Sequence, residues 1–192
     1  RLTRFRFHLA HNLAREKSYF LSFLFLTFSS FGPVQPFGDP FGATSSALLT
    51  ELTTEELAQQ PLADLATYLQ TQGHGRFVDA GALAETVQQA ARDAYRLDRV
   101  LAEPLRIVLS TTMANIRSLT QQLKTLDKTI AAELAALPQT LDSVPGLGPV
   151  WTAGLIAELG DIQRFADDDA IAQFAGLTWP AHESGQFQAD DT

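Results

Sequence analysis

Leu141-Asp-Ser-Val-Pro-Gly-Leu-Gly-Pro-Val-Trp-Thr-Ala-Gly-Leu-Ile-Ala-Glu-Leu-Gly160 is the stretch from which the fold is read. Pro145 ends one helix, because its ring and missing N–H cannot continue it. Gly146 and Gly148 open backbone angles closed to other residues. Pro149, with φ already set, stands at the first position of a second helix. Ala153 and Gly154 allow close packing, Leu155, Ile156 and Leu159 supply an apolar face, and Gly160 stops the helix. The spacing predicts a helix, a tight turn at Gly146 to Gly148, and a second helix. Two uses fit it. An ordinary αα-hairpin needs no ligand. A helix-hairpin-helix presents the backbone N–H groups around Gly146, Leu147 and Gly148 to a nucleic-acid phosphate without reading bases.

Upstream of the hairpin, Asp79 is an N-cap candidate, and helix formers continue from it to Ala136 with only Pro104 interrupting. One very long helical region is predicted, kinked or divided at Pro104. Leu109, Ile116, Leu123, Ile130 and Leu137 recur every seven residues, with Leu105, Leu119 and Leu126 at the other seam position; Thr112 and Glu133 break that second series. This is a short coiled-coil signal, satisfied by a second copy of the chain or by a helical hairpin within one chain.

Earlier still, residues 1–31 read as a basic, aromatic helix: Arg1, Arg4, Arg6, Arg15 and Lys17 against Glu16, then a dense apolar run from Tyr19 to Phe31. That run is shorter than the ~20 residues of a membrane span, and Arg15-Glu16-Lys17 interrupts what precedes it. A buried helix is expected; interfacial and targeting roles are the alternatives. From residue 32 to 78, glycines and prolines alternate with short helices. Thr53-Thr-Glu-Glu56 has the pattern of a capping box, and Leu62, Leu65, Ala66 and Leu69 form a stripe closed by Gly73-His-Gly75. His74 has no companion ligands and reads as a turn residue. The fold class is mainly α.

The 192 residues hold no cysteine, so there is no disulfide framework and no thiolate metal site. A reducing cytoplasm fits that composition. The formal charge of −8 excludes a uniformly basic nucleic-acid binder. The charge is uneven, with nine Asp and Glu from Pro138 onward against Arg164 alone. The run Asp167 to Asp169 precedes a short apolar helix and reads as N-cap and dipole chemistry; a metal site is the other use of such a cluster. Gly176 ends that helix, and an irregular segment holding His182 and Glu183-Ser-Gly185 follows.

Asp161-Ile-Gln-Arg-Phe165, Phe174-Ala-Gly-Leu-Thr178 and Glu183-Ser-Gly185 follow the hairpin in that order. The arrangement resembles the C-terminal transposase domain of the bridge-RNA-guided insertion-sequence transposases, the IS one-ten family. The basic start of the chain is similar to the helix that follows that family's catalytic domain. The resemblance implies a DNA transposase, with DNA and a guide RNA as partners and a homo-oligomer formed through the coil. It implies that Ser184 is the nucleophile on DNA. It further implies Mg²⁺ held by a carboxylate tetrad on a preceding domain; no acid of this chain matches that tetrad, so no metal site is assigned here. Beginning at Arg1 and ending at Asp190-Asp-Thr192, the chain is expected to be a fragment, inactive alone. It divides into the basic helix (1–31), the loop and short helices (32–78), a helical linker (79–137) and a partial transposase domain (138–192). A coiled-coil DNA-binding module without catalysis is the alternative; a membrane-surface role rests on the N-terminal helix alone.

Overall fold

The computed structural model describes residues 1–177, apart from the side chains of Arg99 and Asp142, and the backbone of residues 183–184 and 187–188. The protein is mainly helical. In order come α1 (Leu2–Thr27), α2 (Phe31–Val34), α3 (Ala43–Glu51), α4 (Thr54–Gln59), α5 (Leu62–Gln72), α6 (Ala80–Asp93), α7 (Arg99–Ala135), α8 (Pro149–Leu159) and α9 (Asp168–Phe174). Two strands, β1 (Glu183–Ser184) and β2 (Phe187–Gln188), pair antiparallel. Contacts divide the chain into two compact units, one of Leu2–Thr129 and one of Ile130–Thr192 with Arg1.

The first unit is built on α1 and α7. Arg6 on α1 donates from Nε to Asp127 Oδ1 at 2.9 Å and from a terminal nitrogen to Oδ2 at 3.3 Å. Asn12, Arg15 and Tyr19 share a groove of about 530 Å³ with Asn115, Ser118 and Gln122. Thr27 and Phe28 line a second cavity with Ala102 and Leu109. As α1 is followed forward, its partners on α7 therefore run backward, and the two helices lie antiparallel. The smaller helices close the core between them: Phe20, Phe28, Phe31, Leu48, Leu57, Leu65, Leu69 and Val87 are buried with Leu109, Met113 and Ile116. Phenylalanines link its parts, Phe28 to Phe31 edge-on at 5.4 Å and Phe31 to Phe37 at 6.3 Å between ring centroids.

The seven-residue seam is thus covered inside the chain. Leu109, Ile116, Leu123 and Ile130 are buried, and for residues up to 127 the helix alongside is α1 of the same chain. Thr112 lies in the buried stripe because its hydroxyl donates to Val108 O at 2.7 Å, within its own helix. Leu137 departs from the expected pattern and is 51% exposed. The helix has ended at Ala135, since Pro138 disfavours helical angles at the residue before it. Leu134 is buried near the end of the stripe.

The long region expected from Asp79 onward is two helices, and the break is not at Pro104. It falls at residues 94–98, where Ala94 is extended and Asp98 accepts the Val100 N–H at 2.9 Å to open α7. Pro104 is only the sixth residue of α7, so the hydrogen bond it removes lies close to the helix start. Asp79 caps α6 as expected, its carboxylate accepting from Ala82 N at 2.8 Å.

Local signals in residues 43–77 are carried out in detail. The Thr53 hydroxyl accepts from Glu56 N at 3.2 Å while Glu56 Oε2 accepts from Thr53 N at 2.7 Å, a complete capping box. The Thr53 backbone and hydroxyl donors hold the Glu56 carboxyl below its ordinary value. A carboxyl depressed on folding stabilises above its unfolded pKa of about 4.3 and loses that contribution as pH falls through the folded value. The stability gap between parent and Glu56→Ala is therefore expected to be open at neutral pH and to narrow on acidification below about pH 4, as read by thermal melts.

His74, at φ 49°, ends α5 in a left-handed turn. His74 N donates to Thr71 O and Gly75 N to Gln70 O, both at 3.1 Å, which is the paired closure of a helix C-terminus. Just before it, a Cβ on Gly73 would stand 2.4 Å from the Phe77 ring and 2.9 Å from Leu69 O. Gly73→Ala is expected to cost about 1–3 kcal/mol in a denaturant titration, because the backbone oxygen cannot step aside.

No helix among the described residues is long and apolar enough to cross a membrane. In α1, Phe20 and Leu24 are buried while Tyr19, Leu21 and Phe25 remain exposed.

Candidate nucleic-acid interface

The second unit carries the hairpin. Its first limb is not the α-helix expected before Pro145 but a single 3₁₀ turn, Leu141–Ser143. Pro138 and Pro145 bracket too few residues for an α-helix, and Pro145 pushes Val144 to extended angles, φ −80° and ψ 119°. The turn lies at Val144 to Leu147, two residues ahead of the Gly146 to Gly148 expected, because Gly148 is already the start of the next helix. Leu147 N donates to Val144 O at 3.1 Å, with Pro145 and Gly146 at the two central positions. Gly146 has φ 93°, which the third position of such a Pro-Gly turn requires and which side chains resist.

Gly148 then becomes the N-cap of α8, with φ −76° and ψ 168°, and Pro149 occupies the first turn. No side chain caps this helix start. Among the described residues, a Cβ added at Gly146 or Gly148 would meet nothing within 4 Å. The two glycines therefore differ. Gly146 is needed for its backbone angle, whereas Gly148 has angles any residue adopts and open space in front of it. The close packing expected at Gly154 is not formed among the described residues, where a Cβ on it meets nothing within 4 Å. Thr152, wholly buried, is the innermost residue of α8, with Ile156 and Leu159 half-buried; Leu155 is exposed. Gly160, at φ 64°, stops the helix, its N–H donating to Ile156 O at 2.9 Å.

Beyond α8, Asp161 accepts from Gln163 N at 3.0 Å and opens a 3₁₀ turn, Ile162–Arg164. Asp167 is the N-cap of α9, accepting from Ala170 N at 2.8 Å, and Asp168 and Asp169 fill the first turn. Among the described residues no group of three His, Asp or Glu is placed to hold a metal ion. Gly176, at φ 72°, closes α9 with Gly176 N to Gln173 O at 3.0 Å and Leu177 N to Ala172 O at 2.8 Å. Glu183 and Ser184, expected in an irregular segment, have strand backbone: Glu183 pairs with Gln188 and Ser184 with Phe187. The Ser184 side chain and His182 lie outside the described residues.

One arrangement joins residues that the sequence keeps apart. The Arg164 Cζ lies 4.6 Å from the Phe165 ring centroid and 4.7 Å from that of Phe174, and the two rings meet edge-on at 5.3 Å. The signal available was the lone cation of residues 138–192 standing directly before a Phe. The second ring, ten positions from Arg164, is brought in by the fold.

Compared with known proteins, residues 138–192 match a family model described as "Transposase IS116/IS110/IS902 family". The match spans the hairpin, the Arg164 cluster and Ser184. It covers under a third of the chain and supports a transposase role. No curated protein and no solved structure matches the chain.

Proposed function

We propose that the chain is part of a DNA transposase that cuts and exchanges strands through a serine nucleophile. The observation that carries this reading is the family match over 138–192, the segment that also contains a tight Pro-Gly turn leading into an uncapped helix start. Anions bind favourably at such a start, where backbone N–H groups and the helix dipole act together. On this reading the hairpin Gly146, Leu147 and Gly148 holds a DNA phosphate, and Ser184 Oγ attacks a phosphodiester. As the Oγ–P bond forms, the Oγ proton is lost to water; the P–O bond to the departing deoxyribose oxygen breaks, and that oxygen takes up a proton from water. Mg²⁺ would neutralise charge on the phosphate, held by carboxylates of a preceding domain. DNA and, in the longer protein, a guide RNA are the partners, in the cytoplasm where both are reached. Assembly of copies would use surfaces other than the seam, which is already covered by α1.

Gly148→Val tests the hairpin. The substitution fits the chain, since its angles are ordinary and nothing among the described residues stands within 4 Å. Its melting temperature is expected to fall only slightly, since Val is a poorer N-cap than Gly, while affinity for duplex DNA at low salt falls about tenfold, a loss of about 1.4 kcal/mol, because a side chain keeps phosphate from the backbone. Unchanged affinity would remove Gly148 from the interface.

A further inference from the structure

Arg164 is surrounded in sequence by acids, yet its charge is not neutralised by them. Asp161 and Asp167 direct a carboxylate oxygen to backbone N–H groups at helix starts, and no ion pair to Arg164 is formed among the described residues. No hydrogen bond from its guanidinium is formed there either. What positions Arg164 is aromatic: two ring faces at nearly equal distances, 4.6 and 4.7 Å. Such contacts keep the positive charge in full and occupy no N–H group with a lone-pair acceptor. They also restrict a side chain that otherwise carries about 2 kcal/mol of rotamer entropy, so less is lost when the guanidinium binds. Phe174, one of the two rings, is 54% exposed, so the cluster is open to the outside. A guanidinium that keeps its charge, is held in place and has its donors free matches a phosphate diester, which it can grip with two parallel N–H···O bonds.

We propose that Arg164, seated on Phe165 and Phe174, is a DNA-phosphate contact of the second unit. This rests on the DNA-binding reading above and adds a residue to it. In a segment otherwise acidic, this one cation supplies the local attraction that net charge denies.

The test is fluorescence anisotropy of the 192-residue chain with a labelled duplex across a potassium chloride series. Arg164→Gln is expected to weaken binding about tenfold and to lower the slope of log affinity against log salt by about 0.9, the value for one phosphate. Arg164→Lys should keep the slope but lose part of the affinity, as a point charge replaces a fork. Phe174→Leu, which leaves the charge and removes one ring, should also keep the slope and lose a few-fold in affinity. A parent that binds while Arg164→Gln matches it in affinity and slope overturns the proposal alone. A parent that fails to bind duplex even at low salt overturns both this and the DNA reading. If Arg164→Gln does not fold, the Lys and Leu variants decide: both indistinguishable from the parent overturns the phosphate contact. Losses confined to a matched RNA, with DNA unaffected, would overturn the assignment to DNA.

Discussion

Ile116→Asp is expected to destabilise the unit of residues 2–129 by roughly 5 kcal/mol, enough to unfold a domain of ordinary stability. Ile116 is 3% exposed and packs in the cluster formed by α1 to α7. The substitution removes a large apolar side chain, about 1.5–3 kcal/mol of burial, and puts a carboxylate where the core cluster offers it no cation. Because the seam is covered by α1, the loss should appear as unfolding of each chain at any concentration. Denaturant titration followed by circular dichroism, with sedimentation alongside, reads it. A variant that keeps the parent's midpoint and only drops in mass would show instead that the seam joins two copies.

Much of this fold was legible because its signals are local. A capping box needs only Thr53 and Glu56, three residues apart, and a helix stop needs only a glycine that tolerates left-handed angles, as at Gly160 and Gly176. The hairpin turn was legible for the same reason, since Pro145 and Gly146 dictate it between them. Where two local rules meet, the stronger one is not evident from either alone. Pro104 was expected to interrupt the long helix, but Asp98 as a cap placed the helix start close enough for Pro104 to be accommodated. Pro138 and Pro145 together shortened the limb before the turn to three residues, which neither proline announces alone. Contacts between distant residues were out of reach. The periodicity of α7 marks a buried stripe, but nothing in it says which helix lies alongside; the pair Arg6 and Asp127, 121 residues apart, and the cluster of Phe20, Leu24, Leu109, Met113 and Ile116 bring α1 there. At the candidate interface the spacing proposes Gly146, Leu147 and Gly148, and the resemblance proposes Ser184. It gave no reason to weigh Arg164, whose partner ring at Phe174 is supplied only when α9 folds back beside it.

Ser184→Ala is the substitution with the largest expected effect on function. An alanine has no oxygen to form the bond to phosphorus, so the covalent step should fall on the order of 10⁶-fold, the scale of losing a serine nucleophile. DNA affinity should change little, since the hairpin and Arg164 are untouched. The most direct measurement places residues 1–192 after the carboxylate-bearing domain that the family resemblance implies, and incubates that longer protein with labelled DNA and Mg²⁺. A denaturing gel then separates free DNA from DNA joined to protein. A covalent adduct is expected with the parent and none with Ser184→Ala at equal DNA binding. Equal adduct from both proteins would contradict it, and would leave the hairpin as a binding module with no catalytic serine.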